Sequence, residues 1–202
     1  MTRTITYNTV TNIPGEPSKC WITSNLGADH EATSVNDPTE PSGGWYWQFN
    51  FCQGYMFIGT TVSPSWRFTT LSQLSNWTAN NDPCAIELGD GWRIPIFSEW
   101  DNVRAAGGWT NWDGPWNSGL KLHAAGFLSY TDGFLHYPGV TGTYWSSSQN
   151  TVDWGITLDF SAINNLMYSW EMAYGYSLRC INDLVDKPAV PAPGNASRGK
   201  ID

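Results

Sequence analysis

Residues 142–181 read GTYWSSSQNTVDWGITLDFSAINNLMYSWEMAYGYSLRCI. Tyr144-Trp145-Ser146-Ser147-Ser148 closes a short strand, and a polar gap follows. Ile156, Leu158 and Phe160 then recur at every second position, which predicts a strand burying those three and turning Thr157 and Asp159 to its other face. Tyr176, Leu178 and Cys180 form the matching set in a last strand, Gly175–Cys180. Between these two strands the spacing predicts a loop carrying Asn164, Asn165, Tyr168, Trp170 and Tyr174. Tyr and Trp offer large contact area for few rotatable bonds, and Asn adds adaptable hydrogen bonding. Loops held on a rigid frame are the usual place for recognition. The expected binding face therefore spans Asn150–Tyr174 and includes Asn150, Asp153, Trp154 and Glu171 besides the loop residues. The competing reading folds Tyr168 and Trp170 back as lids on the core.

The rest of the chain is consistent with a binding scaffold. It has 202 residues, enough to bury a core, with 15% aromatics (13 of them Trp) but only 14% charged residues. Twenty Gly and 12 Pro add turns, so many short strands and loops are expected rather than long helices. Net charge is −8 and the pI is about 4.7. With ten Lys and Arg and no basic run, neither a phosphate backbone nor an anionic membrane surface is an expected partner. No apolar run approaches the ~20 residues that span a bilayer. Residues 1–15 lack the apolar core of a secretory signal, so an extracytoplasmic destination implies a removed signal or another route, such as assembly within a virus particle.

Along the chain, strands are expected at Thr4–Tyr7, Cys20–Leu26, Trp45–Phe51 and Leu120–Ala125, with turns at 12–18 and 131–133. Leu71, Leu74 and Trp77 at spacing three predict a short helix over Thr69–Trp77. A second helix follows GWRIP at 91–95, capped by Ser98, turning Trp100, Val103 and Arg104 to one side and stopped by Gly107-Gly108. Trp109–Gly119 reads as an irregular aromatic loop. Residues 187–202, KPAVPAPGNASRGKID, read as a Pro/Ala-rich tail or linker, leaving 1–186 as one domain.

A set of short motifs carries a family resemblance. NLGA at 25–28 with Ala32-Thr33-Ser34, GWRIP…EW at 91–100, LKLHAAGF at 120–127, Asp132-Gly133, GTYWSSS at 142–148 and GYSLRCI at 175–181 occur in order. Over residues 19–183 the chain resembles the Fibrobacter succinogenes major paralogous (FISUMP) domain. The resemblance implies an α+β C-type lectin-like fold: small twisted antiparallel sheets, two short helices and long aromatic-rich loops. It also implies a ligand- or receptor-binding module on a bacterial surface or phage particle, similar to the variable proteins of diversity-generating retroelements. The partner would be a cell-surface protein or glycan. The alternative is a structural virion or surface component that docks on neighbouring subunits. Ile96 stands where the family usually has Thr, which moves the helix cap to Ser98, and Ala85–Asp90 is an insertion that lengthens one loop.

Four cysteines allow two disulfides in three pairings, or free thiols filling apolar gaps. Cys84, just before the GWR strand, and Cys180, in the last strand, are the favoured pair; Cys20 with Cys52 would be the second. Trp45, Trp47, Trp92, Trp100 and Trp145 are assigned to the core, and Arg93 and Arg179 to structural hydrogen bonds. Trp109, Trp112 and Trp116 either cover the core or, with Asn111, Asp113 and Asn117, form a sugar-stacking platform. His30, His123 and His136 are isolated, and no nucleophile elbow, P-loop or dinucleotide motif is present, so no enzyme is expected. No metal ligands or cofactor are assigned; Asn111-Trp112-Asp113 and Glu40-Pro41-Ser42 leave a loop calcium as an alternative.

Overall fold

In the computed structural model, residues 5–67 and 70–183 are described, together with the backbone of a short strand at 196–197. Strands β1 (Thr6–Tyr7), β2 (Thr9–Ile13) and β3 (Glu16–Ile22) open the chain. The β2–β3 hairpin turns at Pro14-Gly15, where Gly15 has φ +93° and an added Cβ would meet the Asn102 carbonyl oxygen at 2.4 Å. Helix α1 (Glu40–Gly43) precedes β4 (Trp45–Trp47), β5 (Gly54–Ile58) and β6 (Thr61–Ser63). A 3₁₀ turn at Ala79–Asn81 leads into α2 (Pro83–Leu88), β7 (Trp92–Arg93), α3 (Phe97–Ala106) and α4 (Asp113–Asn117). Then come β8 (Phe127–Leu128), β9 (Leu135–His136), β10 (Thr141–Thr151), β11 (Trp154–Ser161), β12 (Asn165–Glu171), β13 (Ile181–Asp183) and β14 (Ala196–Ser197).

The architecture is mixed α+β, built of small antiparallel sheets with short helices. One sheet has the order β2-β3-β13-β7; β4-β5-β6 and β10-β11-β12 are meanders; β8-β9 and β1-β14 are pairs. Among the described residues the four α-helices include one of ten residues, α3, and three shorter pieces, against two expected. Its register buries Glu99, Trp100 and Val103.

Residues 174–180 knit the sheets together. Tyr176 exchanges both backbone hydrogen bonds with Trp47 (3.0 and 3.1 Å), and Gly175 does the same with Leu128 (both 2.9 Å). The Ser177 carbonyl accepts from Trp145 at 3.2 Å, and the Cys180 carbonyl from Ile22 at 3.1 Å. The strand expected at Gly175–Cys180 is thus an extended crossing with isolated bridges to several elements, and regular pairing begins only at β13. Trp47, Phe49, Trp145, Tyr176 and Leu178 form one core cluster beneath this crossing; Trp21, Trp100, Tyr144, Leu158 and Phe160 form another beneath α3. Trp145 reaches Phe49 under Gly155, where a Cβ would lie 2.6 Å from the Phe49 ring. Trp45 and Trp92 pack on the first cluster half-buried.

Several expectations change. Residues 70–77 form no helix; Phe68 and Thr69 lie outside the described residues. The backbone amides of Gln73 and Trp77 donate to the Val152 and Ser147 carbonyls instead (2.7 and 2.8 Å), and Leu74 is 90% exposed. Ser98 lies inside α3 rather than capping it. The Glu99 carboxylate accepts from the Ile96 amide (2.9 Å), and Ser148 Oγ accepts from the Phe97 amide (3.0 Å). The expected loop insertion at Ala85–Asp90 is largely α2, whose N-cap Asp82 accepts from Cys84 and Ile94 amides (both 2.9 Å). Leu120–Ala125 is buried except for half-buried Lys121 but makes no strand; pairing starts at Phe127. The predicted binding loop over Asn164–Tyr174 is mostly strand β12, paired with β11 from Asn165 to Glu171.

Cys84 and Cys180 form a disulfide with Cα atoms 5.5 Å apart. The second expected bond is not made: Cys20 is a half-buried free thiol on β3 and Cys52 an exposed one. The expected tail at 187–202 lies outside the described residues except for β14, which pairs with β1.

Candidate functional site

The β10-β11-β12 meander has one buried and one partly open face. Its register aligns Tyr144, Leu158 and Met167 on the face packed against α3. It aligns Thr143, Asp159 and Leu166 on the opposite face, and places Thr157 beside Trp145 and Tyr168 there. Toward the Trp145 end this second face belongs to the first core cluster. Toward the other end it diverges from Phe127 and from the crossing segment, leaving a cavity of about 380 Å³. That volume is at the small end of the ~300–1,000 Å³ usual for ligand pockets.

Aromatic rings make the walls. Tyr168 and Trp170, two residues apart on β12, have ring centroids 5.0 Å apart, and Trp170 meets Tyr174 edge-on at 6.0 Å. Tyr174 stacks on Tyr176 at 5.6 Å, and Phe127 stands edge-on to both at 5.5 and 5.7 Å. His136 stacks behind Phe127 at 5.9 Å. The rings hold one another in edge-on and offset arrangements favoured by their quadrupoles, so the wall is largely pre-set.

Asp159 supplies the charge. Trp170 Nε1 donates to its Oδ2 at 2.6 Å, while Oδ1 is solvent-inaccessible and has no geometric hydrogen-bond partner among the described residues. Burial raises the Asp159 pKa from 3.8 to about 6, against the smaller lowering effects of Trp170 and Thr157. A carboxyl whose folded pKa is raised costs stability above that pKa and costs nothing below the unfolded value. Asp159→Asn, which keeps an acceptor for Trp170, is therefore expected to stabilise the fold by up to about 3 kcal/mol at pH 7–8. The gain should fade as pH falls through 6 and vanish near 4; urea unfolding midpoints at three pH values check this.

The nine predicted binding residues divide among several places. Asn164, Tyr168, Trp170 and Tyr174 line the aromatic cavity. Asn150 and Trp154 line a shallower groove of about 570 Å³ around the end of the meander, where Phe97 and Tyr168 also stand. Asp153, Trp154 and Glu171 border a third recess beside Leu71 and Tyr130. Asp153 accepts from Ser72 Oγ, and Glu171 raises the Tyr130 pKa through their hydrogen bond. Asn165 is buried, with Nδ2 directed to the Asn111 carbonyl at 3.5 Å, so it does not join the others. Tyr168 is 48% exposed, which sets aside its role as a core lid; Trp170 is half-buried and packs at the edge of the first cluster.

Asp159, Phe127 and Tyr176 were missed as site residues. The period-two pattern already turned Asp159 away from the Leu158 face, and a carboxylate there was the available signal. Elsewhere, Trp109 is buried in the second cluster with Trp112 packed against it, and the Lys121 ammonium covers Trp116 at 4.7 Å. Asn111, Asp113 and Asn117 do line a groove, but Trp112 and Trp116 are not part of it, so no three-ring platform forms. Asn111 Oδ1 accepts from the Asp113 amide and Glu40 from the Gly59 amide. Among the described residues no three His, Cys, Asp or Glu side chains gather as a metal-sized group. No helix among them is long and apolar enough to cross a membrane.

Comparison with known protein families, with curated proteins and with solved structures finds no match.

Proposed function

We propose that this chain is a non-catalytic ligand- or receptor-binding module of the C-type lectin-like, FISUMP-related kind. One observation carries the reading: a pre-set aromatic cavity on the β11–β12 side of the molecule, with Tyr168, Trp170 and Tyr174 in its wall and one carboxylate in its lining. A concave aromatic surface with few polar groups suits capture, and rigid rings lose little entropy on binding. A single buried disulfide fits an oxidising, extracytoplasmic setting such as a bacterial surface or phage particle. The resemblance to retroelement variable proteins extends the reading to a face whose side chains vary on a constant backbone.

The test is a glycan and cell-surface binding screen on the wild-type chain beside Tyr168→Ala/Trp170→Ala. Loss of binding by about tenfold or more is expected, since central aromatic anchors commonly carry about 2 kcal/mol or more each. Equal binding by both proteins, with matched circular dichroism, overturns the proposal. A second reading, docking on a neighbouring subunit, is favoured by Phe97 and Trp154, 39% and 37% exposed beside the shallow groove. Binding or assembly lost in Phe97→Ser/Trp154→Ser but retained in the Tyr168/Trp170 variant would select it.

A further inference from the structure

We propose that the aromatic cavity takes an alkylammonium group, with the cation seated among the Tyr174, Tyr176, Trp170 and Phe127 rings and held by the Asp159 carboxylate. The inference rests on the binding reading above and names the ligand class of the same site. Two independent features point to a cation. First, the walls are faces and edges of four rings from three stretches of the chain, and ring faces attract an ammonium within about 6 Å of a centroid. Second, the cavity's charged group is an acid with no cationic neighbour among the described residues. It accepts from the neutral indole N–H of Trp170, and besides burial the groups that shift its titration are Trp170 and the Thr157 hydroxyl, with no Lys or Arg among them.

Among the described residues Glu99 pairs with Arg93 at 2.5 Å, Asp183 with Arg93 at 3.1 Å and with Lys19, and Asp101 with Arg104 at 2.7 Å. Asp159 is not among these ion pairs, and its Oδ1 is solvent-inaccessible. A buried carboxylate without a partner raises the free energy of the empty protein, and a ligand cation would supply the missing charge. Thr141 lines the cavity as well, its hydroxyl buried without a hydrogen-bond partner among the described residues. A neutral sugar would leave the carboxylate's charge uncompensated. An anion would be repelled by it and by Glu171 nearby. The head group could belong to a lysine side chain of a protein partner or to a methylated amine; the shared chemistry is the alkylammonium.

The test uses the full-length chain and four probes in calorimetry or tryptophan fluorescence at pH 7.5: butylammonium, butyltrimethylammonium, and their neutral counterparts butanol and 3,3-dimethylbutanol. At least one ammonium is expected to bind tenfold or more tighter than its neutral counterpart. The tighter of the two identifies a lysine-like or a methylated source. Asp159→Asn should erase the preference for charge while leaving the neutral probes unchanged. Tyr174→Leu, which keeps apolar bulk but removes a ring, should weaken ammonium binding threefold or more. Equal binding of charged and neutral probes, or binding of none, overturns the cation assignment. If surface binding still depends on Tyr168 and Trp170 in that case, the module reading stands without it. If surface binding is indifferent to those two residues, the module reading itself falls.

Discussion

Breaking the Cys84–Cys180 bond is expected to lower the free energy of unfolding by about 4–5 kcal/mol, the chain-entropy value for a closed loop of this size. The bond spans a sequence separation of 96 residues, and both sulfurs are fully buried. It joins the first turn of α2 to the segment that carries Tyr174 and Tyr176 to the core. Cys84→Ala/Cys180→Ala should show the loss as a lower urea midpoint, with an additional penalty for the cavity left in the first core cluster. Reductant added during unfolding should bring the wild type toward the variant and leave the variant unmoved. Cys20→Ser/Cys52→Ser is expected to stay within about 0.5 kcal/mol of wild type, because neither thiol is fully buried or bonded. Equal midpoints for the wild type and the Cys84/Cys180 variant would show that the loop closure contributes nothing.

Which features were legible follows from how local their causes are. Leu158 and Phe160 are buried where alternation placed them, because each packs on one side of a strand. The strand Asn165–Glu171 was read as loop because its pattern is inverted. The face toward α3 carries Asn165 and Ser169, while the face toward the cavity carries Leu166, Tyr168 and Trp170. A strand that is apolar where it meets a ligand cavity and partly polar where it packs gives no clean period. The helix expected at 69–77 had correct spacing but no single face to bury: Trp77 packs on Phe49 at 5.1 Å and Leu71 on the first cluster half-buried, while Leu74 is exposed. Tertiary backbone bonds to Ser147 and Val152 replaced the helical ladder there. The cavity itself depends on Phe127 meeting Tyr174 and Tyr176, a contact between segments nearly 50 residues apart. Nothing in a local window encodes that meeting. The favoured disulfide came from the placement of Cys84 before the GWR strand and Cys180 in the last strand, and the failed one, Cys20 with Cys52, had no comparable support.

Arg179→Met is expected to destabilise the fold by about 3 kcal/mol or more and to weaken ligand binding as a consequence. Arg179 is fully buried. Its Nη1 donates to the Leu120 and Ile22 carbonyls at 2.6 and 3.2 Å, and its Nη2 to Asn25 Oδ1 and the Lys121 carbonyl at 2.9 and 3.3 Å. The guanidinium also lies 5.8 Å from the centroid of the Tyr144 ring. Burial lowers its pKa, yet arginine remains a cation at any pH the fold survives. Burial, then the nearby guanidinium, lowers the His123 pKa to about 3, so that imidazole stays neutral. Methionine fills comparable volume but leaves three carbonyls and one amide oxygen without donors, at about 1–3 kcal/mol for each that water cannot reach. Relief of the buried charge offsets part of that sum, which sets the estimate near its lower end. The bonds tie the crossing segment to the Leu120–Lys121 stretch, which leads on to Phe127, so Arg179 fixes two walls of the cavity relative to each other. A positioning role of this kind predicts a particular pairing of readouts. Arg179→Met should lower both the unfolding midpoint and the affinity for the Tyr168- and Trp170-dependent ligand, because looser rings must be ordered at the moment of binding. Arg179→Lys, with three donors on a single nitrogen, should restore part of the stability and less of the affinity. An affinity unchanged by Arg179→Met, measured well below its melting temperature, would show that the rings are held by their own contacts and not by the arginine beneath them.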